Sequence, residues 1–379
     1  MQLNVHMSAA HERQRGFTLV ELMVALAIGG LILAALAAAF YTSSTTRKEG
    51  ERTARQTENG SYAMQLLADD LRLAGFYGEF NPNVLSLGAS SPNPCKTTVS
   101  ELVSGLPLQV QGYDNGTGMP TECTTLLTDR ATGTDVVVVR RTSTCVAGAT
   151  GCDAVSGGIP YFQASLCGTS AELASTNPAD YYALDTNTAN LTRHTRHLNG
   201  SGSCDTVAPL RRYLTHIYYI ANNDNAGDGI PTLKRAELDT DGASTPGTVF
   251  KIEPLVEGVQ NLQLEYGIDD AATSGTCGGD GTPEAFTADP SSYTSTCTTT
   301  AGFATWRNVV AARINILARN ADGSPGYVDS KIYRLGLKAD GTDNCFPACT
   351  GSGYGDNIKR RVFDALVRMN NPADRRLVP

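Results

Sequence analysis

Residues 13–41 read RQRGFTLVELMVALAIGGLILAALAAAFY, and the organisation of the whole chain follows from them. A polar leader, Met1 to Gly16, ends in Arg13, Arg15 and Gly16. An almost unbroken apolar run from Phe17 to Tyr41 comes next. As a helix, Leu22 to Tyr41 spans roughly 30 Å, the thickness of one hydrocarbon core. Glu21 is the one charge inside the run. A carboxylate at the bilayer centre costs on the order of 2.5 to 3.5 kcal/mol, and less near the end of a span. A plain anchor has no need of it, so Glu21 reads as a functional residue that needs a partner.

Three simpler readings compete. A secretory signal peptide cleaved near Ala37–Ala39 has the basic, apolar and small residues in order, but its apolar region is long and Glu21 spoils it. A signal anchor leaves Glu21 at the interface by accident. A buried core helix is amphipathic, whereas this run is apolar on every face.

The string Gly16-Phe17-Thr18-Leu19-Val20-Glu21 resembles the class III leader of type IV pilins and type II secretion pseudopilins. These carry a basic leader, cleavage after Gly, Phe as the new first residue and Glu fifth. The resemblance implies that a prepilin peptidase cuts between Gly16 and Phe17 and methylates the Phe17 amine. The apolar helix then stays, first in the inner membrane and later in a filament core. There Glu21 is expected to neutralise the cationic amine of a neighbouring subunit, because a buried charge needs such a partner.

Beyond the leader and the apolar helix, roughly 300 residues remain, ample for a core. The net charge is −8; the leader contributes +1 (Arg13 and Arg15 against Glu12), which leaves −9 beyond it. That balance argues against a general nucleic-acid binder, and no nucleic acid is expected as a partner. The basic pairs Arg140-Arg141 and Arg211-Arg212 and the triplet Lys359-Arg360-Arg361 read as exposed strand ends or solvated loops. All ten cysteines follow the apolar helix: Cys95, Cys123, Cys145, Cys152, Cys167, Cys204, Cys277, Cys297, Cys345 and Cys349. An even number on one side of a membrane span reads as disulfides in an oxidising compartment. Connectivity stays open; loop spacing suggests the local pairs Cys145–Cys152, Cys277–Cys297 and Cys345–Cys349.

Residues 42–74 contain no Pro, and Ala63, Leu67, Leu71 and Ala74 recur at helical spacing, with Gly75 as the stop. A single helix of roughly 55 residues is expected, its second half packed on the head. Residues 76–133 are turn-rich and read as loops with a few short strands. Strands are expected at 135–141, 216–222, 251–253, 259–268, 306–319, 331–337 and 361–369. Residues 142–208 carry only weak apolar patches. Residues 269–302 and 339–357 are Gly- and Cys-rich loops.

The fold class that follows is α+β: a long N-terminal helix, half membrane and half amphipathic, packed on an antiparallel head with disulfide-rich loops. The expected divisions are a leader at 1–16, a transmembrane or filament-core helix at 17–41, an amphipathic continuation at 42–75, and a β-rich head at 76–379.

The stretch ARQTENGSYAMQLLADDLRLAGFYG at 54–78 resembles the helix end of the PilW family of minor pilins, matching at Glu58, Asn59, Gly60, Asp70, Leu71, Arg72, Ala74, Gly75 and Gly78. VQNLQLEYGID at 259–269, TWRNVVAARINILARN at 305–320 and RRVFDALVRMNN at 360–371 resemble its C-terminal strands. The Cys-rich middle matches no family pattern. Major pilins often carry Pro about twenty residues into the mature helix; here Ala38 stands nearby, no Pro precedes Pro82, and Gly29-Gly30 is the one weak point.

The resemblance implies a structural subunit rather than an enzyme. It implies a single-pass inner-membrane protein with a periplasmic head, which then takes its place at the pilus tip. Its partners would be other minor pilins, the major pilin and a PilY-type tip adhesin, and its role would be to prime assembly. The rivals are a GspJ-like pseudopilin of type II secretion, a DNA-uptake competence pilin, and a secreted enzyme with a cleaved signal peptide.

No GxSxG, HExxH, P-loop or GxGxxG motif appears, and no cofactor or metal is expected. His194 and His197 with Cys204 make a poor metal set. Asp224 to Gly229 and Asp239 to Gly242 have the oxygen-rich spacing of calcium loops but lack a closing Glu, and read as hairpin turns.

Overall fold

The computed structural model describes residues 16–195, 204–243, 246–270, 279–294 and 302–376. Most of the leader, together with Cys277, Cys297 and His197, lies outside these residues, so the expected Cys277–Cys297 pair does too.

One helix, α1, runs from Leu19 to Arg72, 54 residues without interruption at Gly29-Gly30. Its composition explains the length: Pro is absent, and Ala and Leu dominate the first half. Three residues past its end, Gly75 takes a left-handed conformation (φ +71°) and donates its N–H to Arg140 O (2.9 Å). A side chain there would strike Gln109, so glycine is required on two counts.

The chain divides into two units, Met1–Thr53 and Ala54–Pro379. In the first, the helical residues from Leu19 to Tyr41 make no core: the apolar window long enough to cross a membrane is wholly exposed.

The second unit is a β-rich head whose centre is a sheet of β8 (Val259–Ile268), β9 (Ala285–Thr287), β10 (Val309–Arg319) and β13 (Arg360–Arg368), ordered β13-β10-β8-β9 and antiparallel throughout. Strand alternation sets its faces. Ile314 and Ile316 pair with Leu264 and Leu262, and these join Leu67 and Leu71 of α1 in one core. The preceding Arg313 pairs across to Glu265 (2.9 Å) on the other face. Ala63, Leu67, Leu71 and Ala74, the predicted stripe, are all fully buried.

A seven-stranded sheet holds β1 (Val110–Tyr113), β2 (Val136–Thr142), β3 (Tyr161–Ala164), β4 (Tyr182–Asp185), β5 (Arg211–Ala221), β6 (Thr232–Thr240) and β7 (Thr248–Glu257). β5 is its hub, paired with β2 on one edge and with β3 and β6 on the other. Aromatic rings fill a second core beneath it, with Phe162 stacked on Tyr182 at 5.6 Å and Tyr77 tilted against Phe162 at 5.5 Å. A hairpin of β11 (Tyr333–Leu337) and β12 (Asp343–Phe346) buries Leu335 and Tyr333 against Leu317.

The structure departs from the sequence expectation in places. β6 was not foreseen at all. Residues 76–133 hold two short helices, Val99–Gly105 and Thr121–Leu126, as well as β1. The strand expected from Trp306 begins at Val309, because Gly302–Asn308 coils as a 3-10 turn.

All eight described cysteines are bonded: Cys95–Cys123, Cys145–Cys152, Cys167–Cys204 and Cys345–Cys349. The first and third link residues 28 and 37 apart, distances at which spacing carries no pairing signal.

Candidate functional site

Thr18 stands immediately before α1, and Glu21 occupies its third helical position. Glu21 N donates to Thr18 Oγ1 (3.2 Å), while Thr18 N and Oγ1 both donate to Glu21 Oε2 (2.9 Å each). This reciprocal capping box satisfies two helix-end donors that have no partner within the helix. Glu21 Oε1 takes no hydrogen bond among the described residues, so half of the carboxylate is uncommitted. Gly16 and Phe17 precede the helix outside any regular element, and Phe17 is 90% exposed. From Phe17 to Tyr41, Glu21 is the only ionisable side chain apart from the terminal tyrosine.

The second functional element is the α1 face within the head. Several residues of 54–78 are fixed by specific contacts or backbone geometry, among them the matched Asn59, Gly60 and Gly78. Gln56 Nε2 donates to Ala318 O (3.0 Å) and Lys359 O (2.8 Å), bridging the ends of β10 and β13. Asn59 Nδ2 donates to Glu257 O (3.1 Å). Gly60 lies under the Phe363 ring, which leaves no room for a side chain. Gly78 holds a left-handed turn (φ +63°).

Asp70 anchors this face electrostatically. Its Oδ1 accepts from Arg141 Nε (2.6 Å); its Oδ2 accepts from His216 Nδ1 (2.7 Å) and Tyr218 Oη (2.9 Å). His216 Nε2 stands 3.4 Å from Glu237 Oε2, and Glu237 also pairs with Arg235 (2.7 Å) and Arg212 (3.1 Å). Burial alone would raise Asp70, but the charges and hydrogen bonds of His216 and Arg141 outweigh it and hold the carboxyl well below its usual range. Burial alone would lower His216, but Asp70 and Glu237 outweigh it and raise the imidazole. The result is an imidazolium between two carboxylates, a polar joint between α1, β2, β5 and β6. Sequence reading did not find it.

The other candidates resolve as structure. His194 Nδ1 is 2.6 Å from Glu172 Oε1, and Cys204 is in a disulfide, so the set His194, His197, Cys204 offers no thiolate ligand. In the 224–229 loop, Asp228 accepts from the N–H groups of Asp224 (3.1 Å), Asn225 (2.7 Å) and Ile230 (2.9 Å). In the 239–242 loop, Asp241 accepts from Ala243 N and Gly247 N (3.0 Å each). Both are the β5–β6 and β6–β7 hairpin turns. Asp269, Asp280 and Glu284 come within 4.8 Å, but Asp269 is occupied by the N–H groups of Asp280 and Gly281 and by Arg376 at 3.7 Å.

The basic pairs are not solvated loops, which corrects the sequence reading. Arg140 is buried and donates to Leu108 O and Gln111 Oε1. Arg360 is buried between Asp329 (2.8 Å) and Asp356 (2.6 Å). Arg212 pairs with Glu237, and Arg211 donates to the carbonyls of Ser143 and Thr144. These guanidinium groups are committed to partners within the head.

Two family models match. Residues 12–37 match the prokaryotic N-terminal methylation motif, which covers Gly16, Phe17 and Glu21. Residues 217–371 match PilW, type IV pilus-assembly protein W, from within β5 to the last short helix. The 54–78 stretch lies outside that match. No curated protein and no solved structure matches the chain. With a methylation-type N-terminus and the pilus-assembly strands on one polypeptide, the two matches support a type IV pilin of the PilW family.

Proposed function

We propose that the chain is a minor pilin that primes pilus assembly from the inner membrane. Prepilin peptidase cuts between Gly16 and Phe17 and methylates the Phe17 amine. The segment 17–41 then holds the protein in the membrane, with the head in the periplasm. Other minor pilins and the major pilin pack against this segment, and a PilY-type adhesin joins the complex at the tip. The role is structural, not catalytic.

The observation that carries this reading is the pairing of an apolar helix, exposed on every side, with one half-committed carboxylate at its start. Such a helix is stable only in lipid or against similar helices. Glu21 lies four residues after Phe17, in the first turn of the helix. The staggered approach of a second subunit brings a new amine to the free Oε1. The disulfide-bonded head fits the oxidising periplasm. A GspJ-like pseudopilin shares the N-terminal chemistry, but the match at 217–371 favours the pilus.

N-terminal mass spectrometry of the protein purified from the cells that make it tests this directly. Methylated Phe17 as first residue is the expected result. A start near Phe40 means a cleaved signal peptide and overturns the reading, since Glu21 is then absent from the mature chain.

A further inference from the structure

A hollow of about 390 Å³ in the head plays no part in the assembly reading. It lies where β1 and the turn Asp114–Gly116 meet the turn Pro290–Ser292 and the coil Gly302–Asn308. Tyr113, Phe303 and Trp306 give it aromatic surface, and Asp114 and Asp289 give it carboxylates. Its size is at the small end of small-molecule sites, which run from roughly 300 to 1,000 Å³.

The two carboxylates are unbalanced. Asp114 Oδ1 accepts from Asn115 Nδ2 (2.7 Å) and Asp289 Oδ1 from Ser291 N (2.9 Å), and neither has an ion-pair partner among the described residues. Each keeps its second oxygen uncommitted. Arg130 and Arg140 are committed elsewhere, Arg130 to the carbonyls of Ala131 and Thr134 and Arg140 to Leu108 O and Gln111 Oε1. Burial first, and then the charge of Asp289, raises the pKa of Asp114, and Lys338 offsets this in part. A third carboxyl, Asp135, is buried behind them and is pushed up to about 8, chiefly by burial.

A separate observation points the same way. The Tyr266 ring packs edge-on to Trp306 at 4.6 Å, and its hydroxyl is directed at Gly112, where a side chain would collide with it. Gly112 also lines the hollow. Tyr266 is 1% exposed and its Oη has no hydrogen-bond partner. A buried hydroxyl without a partner costs roughly 1–3 kcal/mol, and this one lies directly behind Gly112 of the hollow's wall.

We propose that this hollow binds a primary ammonium group of the lysine side-chain type, held between Asp114 and Asp289 and faced by Tyr113, Phe303 and Trp306. An ammonium brings three donors and one positive charge, so it serves both uncommitted carboxylate oxygens at once. Aromatic rings add cation–π attraction, strongest for Trp. A neutral sugar would use the rings but leave two like charges uncompensated. The ammonium comes from either a free amine or the lysine of a partner protein, and neither source depends on the pilus reading.

Trp306 is the only tryptophan in the chain and lines the hollow, so a change in its emission on adding a ligand reports from this site. The test is a fluorescence titration of the full chain in detergent, at constant ionic strength, with three probes: butylammonium, Nα-acetyl-lysine methylamide and N-acetylglucosamine. Saturable change with both ammonium probes and none with the sugar is expected. Equal affinity for the two points to a free amine, and a several-fold preference for the lysine derivative points to a protein side chain. In Asp114→Asn/Asp289→Asn the affinity should fall by about tenfold or more, the loss expected for one good ion pair. If that variant does not fold, wild-type affinity falling on acidification, starting above the ordinary aspartate range because Asp114 is raised, gives the same information. Saturation by the sugar alone, no response to either amine, or binding indifferent both to the carboxylates and to acid would overturn the proposal.

Discussion

Asp70 Oδ2 and His216 Nδ1 lie 2.7 Å apart, buried where α1 meets β5, although 146 residues separate them in the chain. Arg141 holds the other oxygen of the same carboxylate at 2.6 Å. Removing one member of a buried ion network leaves the others desolvated without compensation. Asp70→Asn should therefore destabilise the head by about 3–5 kcal/mol. Urea unfolding followed by circular dichroism measures it, and a loss comparable to an exposed pair, under about 1 kcal/mol, would show that the joint adds little.

The same joint gives stability a direction with pH. His216 has a raised pKa, so its contribution is complete below its ordinary value of 6.5 and fades as pH climbs through the raised one. Asp70 is depressed, so its contribution stands above 3.8 and is lost only as acid approaches the lower folded value. Between the two limits the network is fully charged. Wild-type stability should fall on the alkaline side of the histidine range, and His216→Gln should remove that fall. Unfolding midpoints at about pH 6 and about pH 9 for both proteins test the sign, and a parallel decline in the two would assign the effect to other groups.

Gly60 offers a test of packing that inverts a general rule. In a helix interior, Gly→Ala ordinarily gains about 1 kcal/mol. Here the added methyl runs into the Phe363 ring on β13. Gly60→Ala should cost about 1–3 kcal/mol alone. In a Phe363→Ala background the obstacle is gone, and the same change should turn neutral or favourable. A cost that persists in that background would mean the helix approaches β13 through other contacts.

How much of this was legible in the sequence depends on how local the cause is. The stripe Ala63, Leu67, Leu71, Ala74 declares its own helix face, and Val259–Ile268 declares its own strand, because periodicity is written within a few residues. β6 was missed because TLKRAELDT has four charges in nine residues and reads as a surface loop. Its extended form depends on neighbours: Arg235 reaches Glu253 on β7 (3.0 Å), and Lys251 of β7 reaches Asp239 (2.6 Å), a ladder of cross-strand charges. His216 and Asp70 gave no sign of each other, since nothing in either local sequence encodes a contact 146 residues away. Thr18-x-x-Glu21 was legible as a capping box but was read only as a charge in an apolar run.

The disulfides should differ in what they contribute. In the loop-closure view, a bridge across 37 residues is worth about 4 kcal/mol and one across 4 residues about 2 kcal/mol. Replacing Cys167 and Cys204 with Ser should lower the unfolding midpoint markedly more than replacing Cys345 and Cys349. Equal losses would mean that the unfolded chain is already compact around one of these loops.

Glu21 has two roles that a pair of substitutions separates. Locally its Oε2 caps the helix with Thr18; in the proposed assembly its charge meets a neighbour's amine. Glu21→Gln keeps an oxygen that accepts from Thr18, and Gln serves a capping box as well as Glu does. What it loses is the charge. Glu21→Ala loses both. If capping is the whole role, Gln should behave as wild type and Ala alone should fail. If the carboxylate neutralises an ammonium in an apolar environment, the uncompensated amine costs several kcal/mol in both variants. Gln should then fail as completely as Ala, with recovery of partner pilins from solubilised membranes down by at least about tenfold. Processing at Gly16-Phe17, read by mass, and retention in the membrane fraction should be intact in Gln, which keeps the defect at the assembly step. Normal co-purification of the Gln variant would make Glu21 a capping residue and leave the Phe17 amine to be neutralised by some other group.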